Sequence, residues 1–210
     1  MKSLIIAFAM YSKFPMPRVD WEKKALSWAL CWFPLVGLAV GAVLWLWLAL
    51  AGWLGFGVVF TAALALLLPI ALSGGIHLDG FCDTCDALSS HQSRERKLEI
   101  LKDSHTGAFA IIFGGVYLTA MLGIWSGIPD ESMGVMALSF VFSRGLSGLS
   151  AVTFRNARGN GMLADFSDGA EKRVTRAVLV LYLILSFGGM AALSPVKGGA
   201  AAGAGCLMFL

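Results

Sequence analysis

The chain alternates long uncharged apolar runs with short polar segments. From Ala25 to Ile76 there is no Asp, Glu, Lys or Arg, a run more than twice the roughly 20 residues that one bilayer crossing needs. It predicts two crossings, near 27–50 and 56–75, joined by a tight turn in the Gly52, Gly55 and Gly57 cluster. Further uncharged runs predict crossings near 105–128, 132–154 and 177–196, the second of these holding Arg144 as its one charge. Gly198 to Leu210 is too short to cross alone. A chain end in hydrocarbon would strand backbone groups, so this stretch is read as the start of a sixth crossing whose remainder lies outside the sequence. The expectation is an all-α fold over 1–210: one polytopic integral membrane domain, a helical bundle with short cytoplasmic helices between crossings.

The polar segments supply an orientation. Lys2, Lys13, Arg18, Lys23 and Lys24 precede the first crossing, Arg94, Arg96, Lys97 and Lys102 lie in the 77–103 loop, and Arg155, Arg158, Lys172, Arg173 and Arg176 lie in the 155–176 loop. The intervening turns hold no basic residue, and Lys197 is the one exception assigned to the far side. Basic loops mark the cytoplasmic face. The N-terminus and both long loops are therefore expected in the cytoplasm, with the chain integral to the cytoplasmic (cell) membrane. Leu4 to Phe14 is a short apolar stretch broken by Pro15 and Pro17. It reads as an amphipathic or re-entrant segment, or as a helix packed on the bundle.

Composition narrows the function classes. Apolar residues make up 58%, charged residues 14%, and the net charge is +3. That is too apolar for disorder and too weakly basic for a nucleic-acid partner. Cys31 and Cys206 sit in apolar runs and are expected to be small buried hydrophobes. Cys82 and Cys85 form a CxxC, but no second CxxC completes a zinc site. Helix packing is the expected role, with zinc and thiol redox as lesser alternatives.

Candidate chemistry concentrates at 74–86. Asp79, Asp83 and Asp86 are spaced i, i+4, i+7, so on a helix their carboxylates share one face and repel. A divalent cation reverses that penalty. Hard oxygen ligands favour Mg²⁺, with Mn²⁺ as an alternative; the competing reading is a solvated acidic cap. Ser73-Gly74-Gly75 makes a smooth helix through that point unexpected. His77 is a candidate general base, phosphate ligand or ligand-orienting group, or else a packing residue. It shares a face with Asp79 only if the backbone there is irregular.

Arg94 to Leu101 reads as a short interfacial helix with Leu98 and Leu101 on its apolar side. Asp103 can add a carboxylate to the metal, and Ser104 can bind phosphate or simply cap a helix; Lys102 stands beside them. His91 and His105 are read as surface or cap residues. Arg144 lies about 15 Å from Phe154 at 1.5 Å per residue, too deep to reach the headgroups easily. It either meets an anionic substrate or pairs with another helix. Arg155 and Arg158 suit diphosphate oxygens, though membrane anchoring explains them equally. Asp165 and Asp168 are weaker ligand candidates. Ser143, Ser147 and Ser150 with Gly145 and Gly148 read as small-residue helix packing. Carboxylates with arginines suit phosphoryl or nucleotidyl transfer, and prenyl diphosphate chemistry equally.

GGIHLDGFCDTCD at 74–86, KLEILKDSHTG at 97–107, MYSKFPMP at 10–17 and the Arg–Gly loop at 155–161 together resemble the cobalamin-5'-phosphate synthase family, whose members are also called adenosylcobinamide-GDP ribazoletransferases. The resemblance implies an integral membrane enzyme that joins adenosylcobinamide-GDP to α-ribazole or its 5'-phosphate, releases GMP and depends on Mg²⁺. It makes Asp79, Asp83 and Asp86 the family's acidic metal motif, His77 its histidine, and Lys102, Asp103 and Ser104 its second motif. The chain departs from the family pattern at Ala87, where Gly is common, at Leu101, where Met is common, and at His105, where Arg is usual. A Gly-Gly-x-Thr-Gly-Asp motif carried near the C-terminus of family members is absent.

On this reading Mg²⁺ on the three aspartates binds the diphosphate, and the ribazole 5' oxygen attacks the phosphorus attached to cobinamide. His77 or an aspartate takes the proton, and Arg155 and Arg158 clamp phosphates. The expected partners are the two substrates and the lipid bilayer, with a second copy or a pathway enzyme as further candidates. A lipid-headgroup phosphotransferase and a transporter are the competing classes. The transporter predicts charge near the bilayer midplane, where only Arg144 qualifies.

Overall fold

The structure is a computed structural model and describes residues 1–103, 105–154 and 171–209. These are mostly helical, with no strand among them. In chain order the helices are α1 (Lys2–Tyr11), α2 (Lys23–Leu26), α3 (Phe33–Leu54), α4 (Val58–Leu72), α5 (Ile76–Ser89), α6 (Arg94–Ile100), α7 (Ala108–Ser126), α8 (Met133–Thr153), α9 (Lys172–Leu193) and α10 (Pro195–Phe209). Short 3₁₀ turns lead into α3 (Ala29–Trp32) and α8 (Asp130–Ser132). Four stretches are long and apolar enough to cross a membrane: Lys23–Leu54, Ala108–Ser126, Asp130–Thr153 and Lys172–Leu193. The pair α4 and α5 makes a fifth if it is counted as one broken span.

The glycine turn falls where the sequence puts it, but later in the cluster. Gly52 is inside α3, Gly55 takes a left-handed φ of 69°, and Gly57 begins α4. The helix expected over 56–75 is shorter than expected. Its 15 residues reach only about 22 Å at 1.5 Å per residue, less than the ~30 Å hydrocarbon core. It stops because Gly74 and Gly75 both adopt positive φ, 67° and 77°. Gly75 N–H bonds back to Ile70 O at 2.8 Å and Gly74 N–H to Ala71 O at 3.0 Å. This is the paired closure that left-handed glycines make at a helix C-terminus. The chain then turns by 90° into α5.

The helices gather into two compact units, one of residues 1–50 with 129–210 and one of residues 51–128. In the first, Ile6 and Ala7 of α1 pack with Ala29, Leu30, Val152 and Leu179. Trp32 Nε1 donates to Ser3 Oγ at 3.0 Å, and the Tyr11 and Phe33 rings lie 4.4 Å apart. Of the readings open for the N-terminal stretch, the packed helix is the one found. A second cluster joins Val135 and Phe142 of α8, Met190 of α9 and Ala202 of α10.

Two glycines set how closely α3 meets α8. A Cβ on Gly37 would lie 2.3 Å from Phe140 O, and one on Gly41 would lie 2.3 Å from Ala137 O. The i, i+4 spacing of small residues lets backbones touch, and it is present in the sequence as Gly37-Leu-Ala-Val-Gly41. The expected packing role of Gly145 and Gly148 is also seen, facing Leu183 and Leu179. Lys197, the apparent exception to the charge pattern, donates to Glu131 Oε1 at 2.6 Å and Ser132 Oγ at 2.9 Å. It ties the start of α10 to the turn before α8. Cys31 is buried and its thiol donates to Thr175 Oγ1 at 3.5 Å. Cys206 is exposed, not buried as expected; its position on α10 leaves it outside the cluster that Ala202 joins.

Arg144 is buried in this unit, with 9% of its surface exposed. Its guanidinium sits over the Phe140 ring at 5.2 Å, and Nη1 donates to Ser143 Oγ at 3.3 Å. Nε is buried without a hydrogen-bond partner, and no carboxylate among the described residues pairs with the side chain. An interhelical ion pair, the plainer of its two expected roles, is therefore not found among the described residues. Replacing an unpaired buried charge by an apolar side chain of similar length removes a desolvation penalty. We expect Arg144→Met to melt no lower than the parent in detergent; a marked fall in the thermal midpoint would assign the side chain a structural bond instead.

Candidate active site

The acidic motif lies on α5 in the second unit. Because Gly74 and Gly75 close α4 and turn the chain, α5 is regular from Ile76 onward. Asp79, Asp83 and Asp86 therefore do share one face, as their spacing predicts. The backbone irregularity that would bring His77 to Asp79 ends at Gly75, before His77 is reached. On a regular helix two residues apart project about 200° from one another, so His77, exposed in the first turn, shares no face with Asp79. Asp79 is exposed in that first turn, where the helix dipole favours a negative charge. Asp83 is half-buried.

Asp86 is placed differently from its two neighbours. Its Oδ2 accepts the Gly107 N–H at 2.7 Å and its Oδ1 accepts the Ala110 N–H at 2.9 Å. These amides belong to the first turn of α7, whose free N–H groups need an acceptor. A Cβ on Gly107 would fall 2.6 Å from Asp86 Oδ1, so no larger residue fits beneath the carboxylate. Along the same seam a Cβ on Gly114 would meet Cys82 Sγ at 3.3 Å, and Phe81 packs on Tyr117 with centroids 5.4 Å apart. Cys82 thus packs between helices, as expected. Gly107 is the residue that sequence reasoning passes over. Its signal is an apolar helix beginning on a residue with no side chain to cap it.

The second motif follows α6, whose start Ser93 caps by accepting Arg96 N–H at 3.4 Å. Leu98, Ile100 and Leu101 are half-buried, in keeping with an interfacial helix. Lys102 and Asp103 are exposed. Asp103 Oδ1 accepts the His105 backbone N–H at 3.0 Å and lies 2.6 Å from His105 Nδ1. His105 is therefore the partner of Asp103 rather than a bystander. These two bonds hold the Asp103 carboxyl below the usual aspartate range. The pair is intact above the ordinary carboxylate range and is lost as pH falls through the lowered value. An NMR titration of the Asp103 carboxyl should give a midpoint below that of an ordinary aspartate, and His105→Ala should raise it. No change on that substitution would show the pair to be absent.

Among the described residues, no three His, Cys, Asp or Glu side chains converge closely enough to hold a metal as they stand. Ser104, Arg155, Arg158, Asp165 and Asp168 lie outside the described residues.

The sequence was compared with known proteins. The family model for Cobalamin-5-phosphate synthase matches residues 3–210. A relative from Lachnoclostridium phytofermentans, named adenosylcobinamide-GDP ribazoletransferase, is 46% identical over 196 residues, covering 93% of this chain and 75% of its own. One of the same name from Clostridium botulinum is 31% identical over 186 residues, covering 88% and 73%. Another from Fusobacterium nucleatum is 28% identical over 200 residues, covering 90% and 71%. No solved structure matches. A family match over nearly the whole chain, joined to apolar helices of membrane-crossing length and an acidic helix set off by a glycine bend, means that this chain belongs to the cobalamin-5-phosphate synthase family.

Proposed function

We propose that the protein transfers the adenosylcobinamide-phosphate moiety of adenosylcobinamide-GDP to α-ribazole or α-ribazole 5'-phosphate, releasing GMP, at a Mg²⁺-dependent site on α5. The observation that carries the reading is the placement of Asp79 and Asp83 one turn apart on α5, directly after the 90° bend. Family membership and the names of the relatives support the substrates.

The donor set suits Mg²⁺ or Mn²⁺. Mg²⁺ usually takes one or two carboxylates and completes its shell with water and substrate phosphates rather than a closed protein cage. Asp79 and Asp83 provide two such groups, and both oxygens of Asp86 accept amides of α7. When bound, the ion neutralises charge on the diphosphate and on departing GMP. Asp79 and Asp83 hold it at the start of α5. In the transfer a new bond forms between a free ribose hydroxyl oxygen of the acceptor and the phosphorus next to cobinamide, and the bond from that phosphorus to the GMP oxygen breaks. The acceptor proton passes to His77 or a site carboxylate. Lys102, Ser104, Arg155 and Arg158 are assigned to phosphate recognition, and Asp103 is a further candidate carboxylate for the cation. Arg144 is assigned a substrate anion because it is buried with Nε unpaired.

The charge of the basic segments supports a cytoplasmic N-terminus and cytoplasmic 77–103 and 155–176 loops, the side on which both water-soluble substrates would be met. Purified protein in liposomes, offered adenosylcobinamide-GDP or CDP-diacylglycerol with α-ribazole, tests the reading. Turnover of the first alone is expected. Turnover of CDP-diacylglycerol alone would replace it with a lipid phosphotransferase.

A further inference from the structure

We propose that Asp86 is a positioning residue: it caps α7 from outside that helix, and so locks the helix bearing Asp79 and Asp83 to the segment that carries the second motif. The inference rests on the functional reading above, in which Asp79 and Asp83 hold the cation. It removes Asp86 from the ligand set that its spacing suggests.

The argument begins with what α7 lacks. An apolar helix usually satisfies its first amides with two local side chains. The N-cap side chain accepts the third helical N–H, and the third residue accepts the N-cap N–H. In α7 those positions are Gly107 and Ala110, and neither has a polar side chain. Asp86 supplies both acceptors with one carboxylate, taking the Gly107 amide on Oδ2 and the Ala110 amide on Oδ1. The fit is close on the other side as well, because any Cβ at Gly107 would overlap the carboxylate. Asp86 and Gly107 therefore form a matched pair across 21 residues of sequence.

The clamp is the end of a longer seam. Phe81 meets Tyr117, Cys82 meets Gly114, and Asp86 meets Gly107 and Ala110, running in opposite directions along α5 and α7. It fixes the rotation of α5 about its own axis. Asp79 and Asp83 lie about 20° and about 60° around the helix from Asp86 at 100° per residue. A small rotation of α5 would re-aim both of them together. The clamp also anchors Gly107, the last residue of the 97–107 motif, so the two motifs are held by one side chain.

Three variants separate this role from ligation: Asp86→Ala, Gly107→Ser and the two combined, each in full chain reconstituted in liposomes. Asp86→Ala strands two amides and should lower the thermal midpoint. Its kcat should fall by about 10- to 100-fold, the usual effect of losing a group that orients a ligand, and the Mg²⁺ concentration for half-maximal rate should rise as Asp79 and Asp83 are re-aimed. Gly107→Ser alone should also be impaired, because its Cβ meets the carboxylate. In the combined variant the overlap is gone and the serine, at the N-cap, can accept the Ala110 amide itself. Its thermal midpoint and kcat should both exceed those of Asp86→Ala.

The proposal is overturned if the combined variant keeps the raised Mg²⁺ requirement of Asp86→Ala, as a lost ligand would. Recovery of the thermal midpoint without recovery of kcat in the combined variant would overturn it equally. If Asp86→Ala does not fold, Asp86→Asn retains one acceptor, and its Mg²⁺ requirement with and without Gly107→Ser is read by the same criterion. Absence of Mg²⁺-dependent transfer in the parent would defeat the functional reading instead, and the thermal midpoints of the three variants would still decide whether the clamp exists.

Discussion

Asp79→Asn and Asp83→Asn are each expected to lower Mg²⁺-dependent GMP release by at least about 100-fold, the upper end of what removing a mere supporting partner costs a metal site. The amide keeps the size of the side chain but removes the charge that a hard cation requires. Excess Mg²⁺ should recover part of the rate, because a weakened site is refilled by mass action. For Asp79→Asn the thermal midpoint should change little, because the attraction to the helix dipole that is lost and the repulsion that is relieved are of similar size. Asp79 is exposed and Asp83 lies one turn away, and like charges at that spacing repel. Loss of activity with an intact fold is thus the expected pattern. Full activity in both variants would show that these carboxylates do not hold the ion.

Gly41→Leu is expected to be among the most destabilising single changes outside the site. Its Cβ would be forced to 2.3 Å from Ala137 O, a backbone atom that cannot swing aside. Overpacking of this kind costs about 1–3 kcal/mol, and more when backbones must separate. Gly37→Leu should behave alike, since its Cβ would approach Phe140 O as closely and Arg144 Cδ at 3.1 Å. Gly52→Ala and Gly115→Ala are the contrasting controls. Both glycines are helical with open space around the new methyl, and removing glycine flexibility there should stabilise by about 0.5–1 kcal/mol. Equal thermal midpoints across all four variants in detergent would contradict the packing described for α3 and α8.

The parts of the fold that the sequence made legible share a cause. Gaps in charge located α3, α7, α8 and α9 because lipid excludes charge over a fixed length. Ser73-Gly74-Gly75 announced the break before α5 because only glycine takes left-handed φ freely. The length of α4 was less legible, since an uninterrupted apolar run does not say where within it the backbone turns. The face shared by the three aspartates followed from helical spacing, but their different surroundings did not. Asp86 meets Gly107 and Ala110 through packing of α5 on α7, and nothing local to residues 79–86 records that contact. The pairing of Asp103 with His105 is local, at i and i+2, but depends on a turn conformation that the residue types do not dictate. Arg144 was found as a lone charge in an apolar run; that it rests on Phe140, one turn away on α8, was open to the same reasoning.

The central claim is a Mg²⁺-dependent transfer that couples the corrinoid donor to ribazole. It is tested most directly by following GMP and corrinoid product together, with protein in liposomes given adenosylcobinamide-GDP and α-ribazole, first with Mg²⁺ and then with chelator. The account predicts that both products appear in equal amounts with Mg²⁺, that both stop with chelator, and that both fall together, by at least about 100-fold, with Asp79→Asn. Folded protein that forms no coupled product with either ribazole form, or whose transfer is indifferent to chelator, would contradict it.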